Sequence, residues 1–416
     1  MEMNLNSVPR KFTFILVCAV AVESYLAAIG RHYLAVKSAE QSELRSLAQA
    51  VNLEKSNAEW QWKLGRYLLF VAQDQKDALS SLGKAVALNA RVARYWLDLA
   101  IAYEVSGDTQ HQRHALDSAL QAEPTAPNVA WQAGNFYLVA NDVERALPLF
   151  RVVMQNDPEQ LNAALKLCWR ITRDPTVMLM KAVPAKPLTY FAFLKLLTEK
   201  GETGPAEVVW NGLMNLGQPF PASDAFPYFD YLVQKHDTGA AVRVWRNLTR
   251  RSSKLQSYSQ PGNLIVNGGL EKDFLNGGFD WRYSVTDAVQ LSVDNGEFHS
   301  GNQALRLVFR GPGVSDGGFF QYVPVQPNTD YHFSVYTKSE DLESASGPRL
   351  AVVDAYSGLS YVLTDDSVGT NAWREQAADF RTSPEASLLI IKVSRVPSNS
   401  LIKGKFWIDD VSLVQL

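Results

Sequence analysis

The sequence predicts a multidomain protein in which one N-terminal transmembrane helix leads into an all-α superhelix of helical hairpins, followed by an all-β sandwich. Three observations predict this order: an apolar run near the N-terminus, a repeat in the middle of the chain, and period-two apolar alternation after Gly262. A chain of 416 residues with 46% hydrophobic residues is too long for one ordinary domain, so two or three units are expected.

The overall charge and the cysteine count narrow the possible functions. Lys and Arg number 40 against 43 Asp and Glu, which gives a net charge of -3 and no general basic field. We therefore expect no nucleic-acid partner, because such binding depends on phosphate neutralisation. Cys18 and Cys168 provide neither a disulfide framework nor a thiolate metal site.

The apolar run covers residues 12–30 and is interrupted mainly by Glu23. At about 1.5 Å per residue it is just long enough to cross a hydrocarbon core of roughly 30 Å. We assign residues 1–30 to a cytoplasmic tip and a single-pass membrane anchor, which places the soluble domains on the periplasmic or extracytoplasmic side. A cleaved signal peptide is the alternative, although no clean Ala-x-Ala site follows the run. Residues 31–55 are predicted to form a connecting helix.

The middle of the chain repeats with a period of 34 residues, the distance from Trp62 to Trp96. Four further columns keep the same register: Ala78, Gln112 and Ala146; Leu82, Leu116 and Phe150; Ala85, Ala119 and Val153; and Ala90, Pro124 and Pro158. Within one repeat, apolar residues at helical spacing form a first helix, a Gly-Asp turn follows, and proline ends the second helix. We predict five or six hairpins within residues 56–251.

This pattern resembles the tetratricopeptide repeat. The matching residues are Trp96, Leu99, Ala100, Tyr103, Gly107, Ala119 and Pro124, then Gly134, Tyr137, Asp142, Ala146, Phe150 and Pro158. The resemblance implies a scaffold with a concave groove for a protein partner. The candidate partner-binding residues on or beside first helices are Tyr95, Asn128, Gln132 and Asn135; ordinary solvated positions are the alternative for each.

After a polar linker at residues 252–262, which ends in Pro261-Gly262, short runs alternate apolar and polar residues. The clearest runs are residues 304–309, 331–336, 349–353 and 388–393. They predict an antiparallel sandwich over residues 263–416.

The same segment resembles the jelly-roll carbohydrate-binding modules of cellulases and xylanases. Residues 263–271 look like the opening strand of that family, and the later landmarks are Trp281, residues 300–305, residues 321–325, the Tyr331 strand, Trp373 and residues 406–413. The resemblance implies a glycan ligand and a structural calcium ion shared by the first and last strands, for which Glu271 and Asp409 are the candidate ligands. Capping of strands and turns is the alternative role for these two carboxylates.

A glycan site needs exposed aromatic rings that cover sugar faces. The candidates for this site are Tyr283, Phe320, Tyr322, Tyr356, Tyr361 and Trp373. Strand alternation places about half of such rings in the core, and the sequence does not say which half. Trp281 and Trp407 are expected in the core, whereas Tyr356 and Tyr361 flank a loop tip or strand edge.

One motif of hydrolytic enzymes occurs: residues 313–317 satisfy G-x-S-x-G around Ser315. The mechanism requires that serine on a turn between a strand and a helix, but a further strand is predicted here. We therefore expect no enzyme. The sequence indicates a non-catalytic membrane scaffold that binds a protein and a glycan, and we expect it to act in bacterial surface polysaccharide export or assembly. The alternative is a protein-interaction scaffold whose sandwich is structural and binds no sugar.

Overall fold

The computed structural model describes residues 8–41, 43–398 and 400–416, apart from the side chain of residue 10. The first seven residues, part of the predicted cytoplasmic tip, lie outside the described residues. The chain forms two compact units: residues 1–196 with 204–213, and residues 197–203 with 214–416. The second unit therefore contains the last helical hairpin together with the sandwich.

The apolar run lies in helix α1, Val8–Glu40. Its segment Lys11–Glu40 is long and apolar enough to cross a membrane, a criterion that signal sequences also meet. Helix α2, Leu44–Leu53, packs against the end of α1, where Ala35 and Ala39 are buried. The predicted connecting helix is thus the end of α1 followed by α2.

The helical array consists of six helix pairs within the described residues, where five or six hairpins were predicted. The pairs are α3 (Ala58–Tyr67) with α4 (Gln75–Leu88), α5 (Ala93–Val105) with α6 (Thr109–Ala122), α7 (Pro127–Val139) with α8 (Val143–Asn156), α9 (Leu161–Thr172) with α10 (Pro175–Val177), α11 (Pro187–Glu199) with α12 (Thr203–Asn215), and α13 (Phe226–Gln234) with α14 (Thr238–Arg251). The fourth pair is irregular, because α10 continues only as a π-helical turn, Met178–Ala182.

The repeat has a local physical basis at the start of each second helix. Asp74, Asp108 and Asp142, spaced at the repeat period, accept a backbone hydrogen bond from the third residue after them and cap α4, α6 and α8. Small residues allow the close packing between the helices of a pair. A Cβ atom at Gly134 would lie 3.0 Å from the ring of Phe150, so a larger residue would push the helices apart.

The sandwich consists of two five-stranded antiparallel sheets, as predicted. The front sheet has the order β1 (Arg282–Tyr283), β4 (Asp316–Pro324), β9 (Leu388–Ser394), β6 (Arg349–Asp354) and β7 (Ser360–Leu363). The back sheet has the order β2 (Val289–Asp294), β3 (Ala304–Gly311), β10 (Ile402–Gln415), β5 (Asp330–Ser344) and β8 (Gly369–Arg381). Phe309, Phe319, Phe333 and Phe406 are buried between them.

The predicted opening strand at residues 263–271 is wrong as a regular strand. Asn267 and Leu270 adopt left-handed backbone conformations around Gly268-Gly269, so the segment turns instead of running along the sheet. The side chain of Asn263 attaches it to β10, because its amide donates to the carbonyl of Val411 and its oxygen accepts from the amide of Leu413. A side chain thus replaces part of the strand ladder.

The segment predicted as a polar linker is folded. It contains the short helix α15, Ser253–Gln256, and the buried side chains of Leu255 and Tyr258. The Tyr258 hydroxyl donates to the carbonyl of Asp273. Helix α14 and the sandwich are therefore joined by a segment with its own packed side chains.

Candidate functional site

The outer face of the front sheet carries two of the predicted glycan-binding aromatics. Strand β4 alternates strictly, so Phe319 and Val323 point into the core while Phe320 and Tyr322 lie on the outer face, half-buried. Their rings meet edge to face, with centroids 5.4 Å apart. Burial raises the pKa of the Tyr322 phenol above its ordinary value.

Tyr356 lies after β6 and is covered by the hairpin of α13 and α14. Its ring stacks on the imidazole of His236 at 4.1 Å between centroids. Its hydroxyl lies 2.8 Å from the Thr238 hydroxyl, which in turn lies 3.1 Å from that of Ser387. The loop tip expected from Ser357-Gly358 is present, since Gly358 has a φ of 75°, but the neighbouring tyrosine is held by helical residues.

The hairpin packs on the sandwich through a glycine-aromatic contact. Phe279 meets the ring of Phe229 edge to face at 4.7 Å and lies 6.1 Å from that of Trp245. Gly277 and Gly278 make the approach possible, because a Cβ atom at either would overlap the ring of Phe226 or Trp245. Gly278 also has a φ of 62°, which L side chains adopt at a cost.

A polar contact lies beside this aromatic cluster. The guanidinium of Arg282 on β1 donates to the carboxylate of Asp230 on α13 at 2.6 Å. The Arg282 guanidinium carbon lies 5.2 Å from the ring centroid of Tyr322, within cation-π range. Between α13 and the front sheet a cavity of about 450 Å³ is lined by these groups, with Gln234, His236, Ala355 and Tyr356.

The remaining aromatic candidates lie elsewhere on the sandwich. Tyr361 packs against the edge of the core, stacks on Phe380 at 5.3 Å and donates to the Ser383 hydroxyl. Tyr283 is exposed at the end of β1. Trp281 is buried in the core, as expected, and stacks on Phe319.

The back sheet carries a second aromatic row on its outer face. The His299 ring stacks on Tyr336 at 3.6 Å and lies 6.0 Å from Trp373. Within the described part of the chain, the indole N–H of Trp373 has no hydrogen-bond partner. Trp407 is buried here beneath Lys338 rather than in the core between the sheets, and its indole N–H donates to Asp294. The row is therefore largely covered by the protein's own side chains.

The structure brings the two predicted calcium ligands to the same loop. Asp409 accepts from the backbone amides of His299 and Ser300, while Glu271 accepts from those of Asn302 and Gln303. Burial, together with the adjacent Asp410, raises the pKa of Asp409. Among the described residues no group of three or more His, Cys, Asp or Glu side chains surrounds such a point. Any ion here would need backbone carbonyls and water as its other ligands.

Two of the predicted partner-binding residues line a cavity in the helical array. A cavity of about 960 Å³ between α5, α6 and α7 is lined by Gln132, Asn135 and the ring of Trp131. Asn128 is exposed and does not line this cavity. Tyr95 is buried against Trp62, and its hydroxyl donates to Glu59, so its ring serves the packing between hairpins.

Ser315 lies on an exposed loop directly before β4. Its carbonyl accepts from the amide of Arg395. The strand-to-helix turn of serine hydrolases is not present around Ser315 in this described segment.

Sequence reasoning did not identify the polar residues around the front cavity: Asp230, Gln234, His236 and Arg282. They come from α13, the turn after it and β1, and Asp230 and Arg282 are 52 residues apart in the chain. The one available signal was Gly277-Gly278 directly before Phe279, which is typical of a close backbone approach.

Residues 262–398 match a family model described as a carbohydrate binding domain. This confirms the resemblance predicted for the C-terminal part and leaves the helical array outside the match. No curated protein matches the chain.

Three solved structures resemble parts of the chain at low identity. One, described as "CBM4 structure and function", is 13% identical and covers 36% of this chain and 99% of its own, with a TM-score of 0.29. A CBM22-1 xylan-binding domain from Paenibacillus barcinonensis is 16% identical, covers 38% of this chain and 97% of its own, and has a TM-score of 0.27. YrrB, described as a TPR protein with an unusual peptide-binding site, is 14% identical, covers 51% and 96%, and has a TM-score of 0.27.

Proposed function

We propose that this chain is a non-catalytic, membrane-attached scaffold whose helical groove binds a protein partner and whose sandwich binds a glycan. The match of residues 262–398 to a carbohydrate binding domain is the observation that carries the glycan part. The outward-facing Phe320 and Tyr322 supply the kind of rings that stack on sugar faces.

Glycan binding is tested with the full chain in detergent micelles. Affinity electrophoresis through gels that contain soluble neutral or acidic polysaccharides should show retardation in at least one gel, relative to a gel without polysaccharide. Absence of retardation throughout would support the alternative scaffold, in which the sandwich is structural. The position of Tyr361, which packs against the edge of the core, favours that alternative.

For the protein partner, the groove between α5 and α7 is the proposed surface, and Gln132 and Asn135 are its polar contacts. The double variant Gln132→Arg with Asn135→Arg should abolish chemical cross-linking to a membrane partner. Asn128→Arg on the same helix is the matched control, because this residue lies outside the cavity. Equal cross-linking in both variants would contradict the assignment.

The proposal includes a membrane orientation, which the order of the domains supports. We place the helical array and the sandwich on the periplasmic or extracytoplasmic side, with α1 as an uncleaved anchor. A C-terminal alkaline phosphatase fusion should then be active, and the N-terminal sequence of the isolated protein should begin upstream of α1. In this position the scaffold would connect a partner to surface polysaccharide during its export or assembly. Surface polysaccharide should therefore decrease when the chain is deleted.

A structural calcium ion remains part of the proposal. The side chains of Glu271 and Asp409 both reach the loop at residues 299–303, and Asp410 lies beside Asp409. A cation would compensate the charge of these carboxylates. Calcium should raise the melting temperature of the full chain relative to EGTA, and Asp409→Asn should remove the difference. If the melting temperatures agree, the two carboxylates act only as acceptors for the loop amides.

A further inference from the structure

We infer that the glycan is held in the cavity between α13 and the front sheet, and that the site takes a short or terminal segment of a neutral saccharide. This assignment rests on the proposed glycan-binding function and adds a location, a ligand size and a charge class to it. It also makes the last helical hairpin part of the binding site.

The cavity has the aromatic component of a sugar site. Tyr322 forms part of the front-sheet wall, and Tyr356 forms another part where its ring stacks on His236. Both tyrosines are fixed before a ligand arrives: Tyr356 through Thr238, and Tyr322 through Phe320 and the guanidinium of Arg282. Pre-ordered rings lower the entropic cost of binding.

The polar component comes mainly from the helix. Asp230 and Gln234 are one helical turn apart on α13, and both line the cavity opposite Tyr322. Asp230 offers acceptors, Gln234 offers a donor and an acceptor, and Arg282 offers donors, which suits sugar hydroxyls that donate and accept together. The ion pair of Arg282 with Asp230 compensates both charges, so the site favours an uncharged ligand.

The dimensions of the cavity limit the size of the ligand. A volume of about 450 Å³ lies in the lower part of the roughly 300–1,000 Å³ range of small-molecule sites. Helix α13 closes one side of this site. A short segment or a chain end therefore fits, whereas a long chain running across the sheet would meet the helix.

The competing surface on the back sheet is less suitable. His299 covers Tyr336 there, and Lys338 lies over Trp407. The front tyrosines are also in contact with His236 and Arg282, but they line a cavity together with polar side chains of α13. Trp373 is the remaining ring there with an unpaired indole N–H among the described residues. It provides the matched control for the front cavity.

The test uses isothermal titration of the full chain in detergent micelles with cellobiose, cellohexaose, xylobiose and xylohexaose. Gln234→Ala removes a polar contact, and Ala355→Arg fills the cavity from the front sheet. Each should weaken binding about tenfold or more, as expected for the loss of hydrogen bonds worth about 1.5 kcal/mol. Trp373→Ala should bind within about twofold of the parent chain. Unchanged near-UV circular dichroism identifies the folded variants.

The length of the saccharide gives a second test. In each series the disaccharide should bind within a few-fold of the hexasaccharide, because the cavity contacts one end. Retained binding in Gln234→Ala and Ala355→Arg, with loss in Trp373→Ala, would overturn the location. A hexasaccharide that binds far more tightly than the disaccharide would overturn the end-on mode. Tighter binding of an oligogalacturonate would overturn the neutral class. If polysaccharide gels also show no retardation, the proposed function itself fails.

Discussion

The two outer faces of the sandwich use aromatic residues in opposite ways. On the front sheet, Tyr322 and Tyr356 line a cavity that a helical hairpin encloses, and Phe279 anchors that hairpin. On the back sheet, Tyr336 and Trp407 are covered by side chains of the sandwich itself. An aromatic residue on an outer face can therefore serve domain packing, ligand contact or local cover, and its neighbours decide which.

The largest effect on stability is expected from breaking the packing of Gly278 and Phe279 against the α13–α14 hairpin, which we call the front-face contact. Gly278→Ala should destabilise the chain by about 3 kcal/mol, because the new methyl group overlaps the Trp245 ring and the backbone is left-handed. Urea unfolding monitored by tryptophan fluorescence measures the change.

Gly358→Ala is the control for this prediction, because it has the same left-handed backbone with open space around it. It should cost only about 1 kcal/mol. Equal losses in the two variants would show that conformational strain, rather than packing of the hairpin, explains the effect at Gly278.

A smaller effect concerns a buried carboxyl near the front-face contact. Burial raises the pKa of Asp280 to about 7, against about 3.9 in an unfolded chain. Its contribution to stability is complete below about pH 4 and is lost as the pH rises through about 7. Asp280→Asn should therefore stabilise the chain at pH 8 by about 2 kcal/mol and have little effect at pH 4. Thermal unfolding at the two pH values measures this difference.

For Asp294 on the back sheet, we expect stability to depend on pH in the opposite direction. Burial raises the pKa of Asp294. Hydrogen bonds from Trp407 and Gly296 and the charge of Arg306 lower the pKa by more than burial raises it, so the pKa lies below its usual value. This group contributes stability above about pH 4 that is lost as the pH falls through its lowered pKa. Asp294→Asn should destabilise the chain at pH 8. A stabilisation there would contradict the contrast between the two faces.

The smallest effect on stability is expected from removing a side chain that covers the aromatic residues of the back sheet. His299→Ala removes the stack on Tyr336 and the contact with Asp410, and should cost about 1 kcal/mol. Amide exchange in residues 297–303 should increase. His332→Ala, which loses only an exposed contact with Asp379, should leave that loop unchanged. Faster exchange in both variants would show that the loop does not depend on the stack.

Local patterns were sufficient to predict both fold classes. In the structure the caps Asp74, Asp108 and Asp142 recur at the predicted 34-residue period, because helix starts depend on residues a few positions apart. Alternation likewise puts Phe319 and Val323 on one face of β4 and Tyr322 on the other, but only the structure showed that the first face is the core. The prediction of a regular opening strand at residues 263–271 was wrong, because hydrogen bonds from the Asn263 side chain replace part of the backbone hydrogen bonding there.

The sequence by itself thus determined the helical hairpins, the two-sheet sandwich and the set of aromatic candidates. Only the tertiary structure decided which candidates meet polar partners. Asp230 and Gln234 on α13 face Arg282 and Tyr322 because Gly277 and Gly278 let Phe279 pack between Phe229 and Trp245. Such contacts join segments distant in the chain, and they depend on shape and close packing that no periodic pattern encodes.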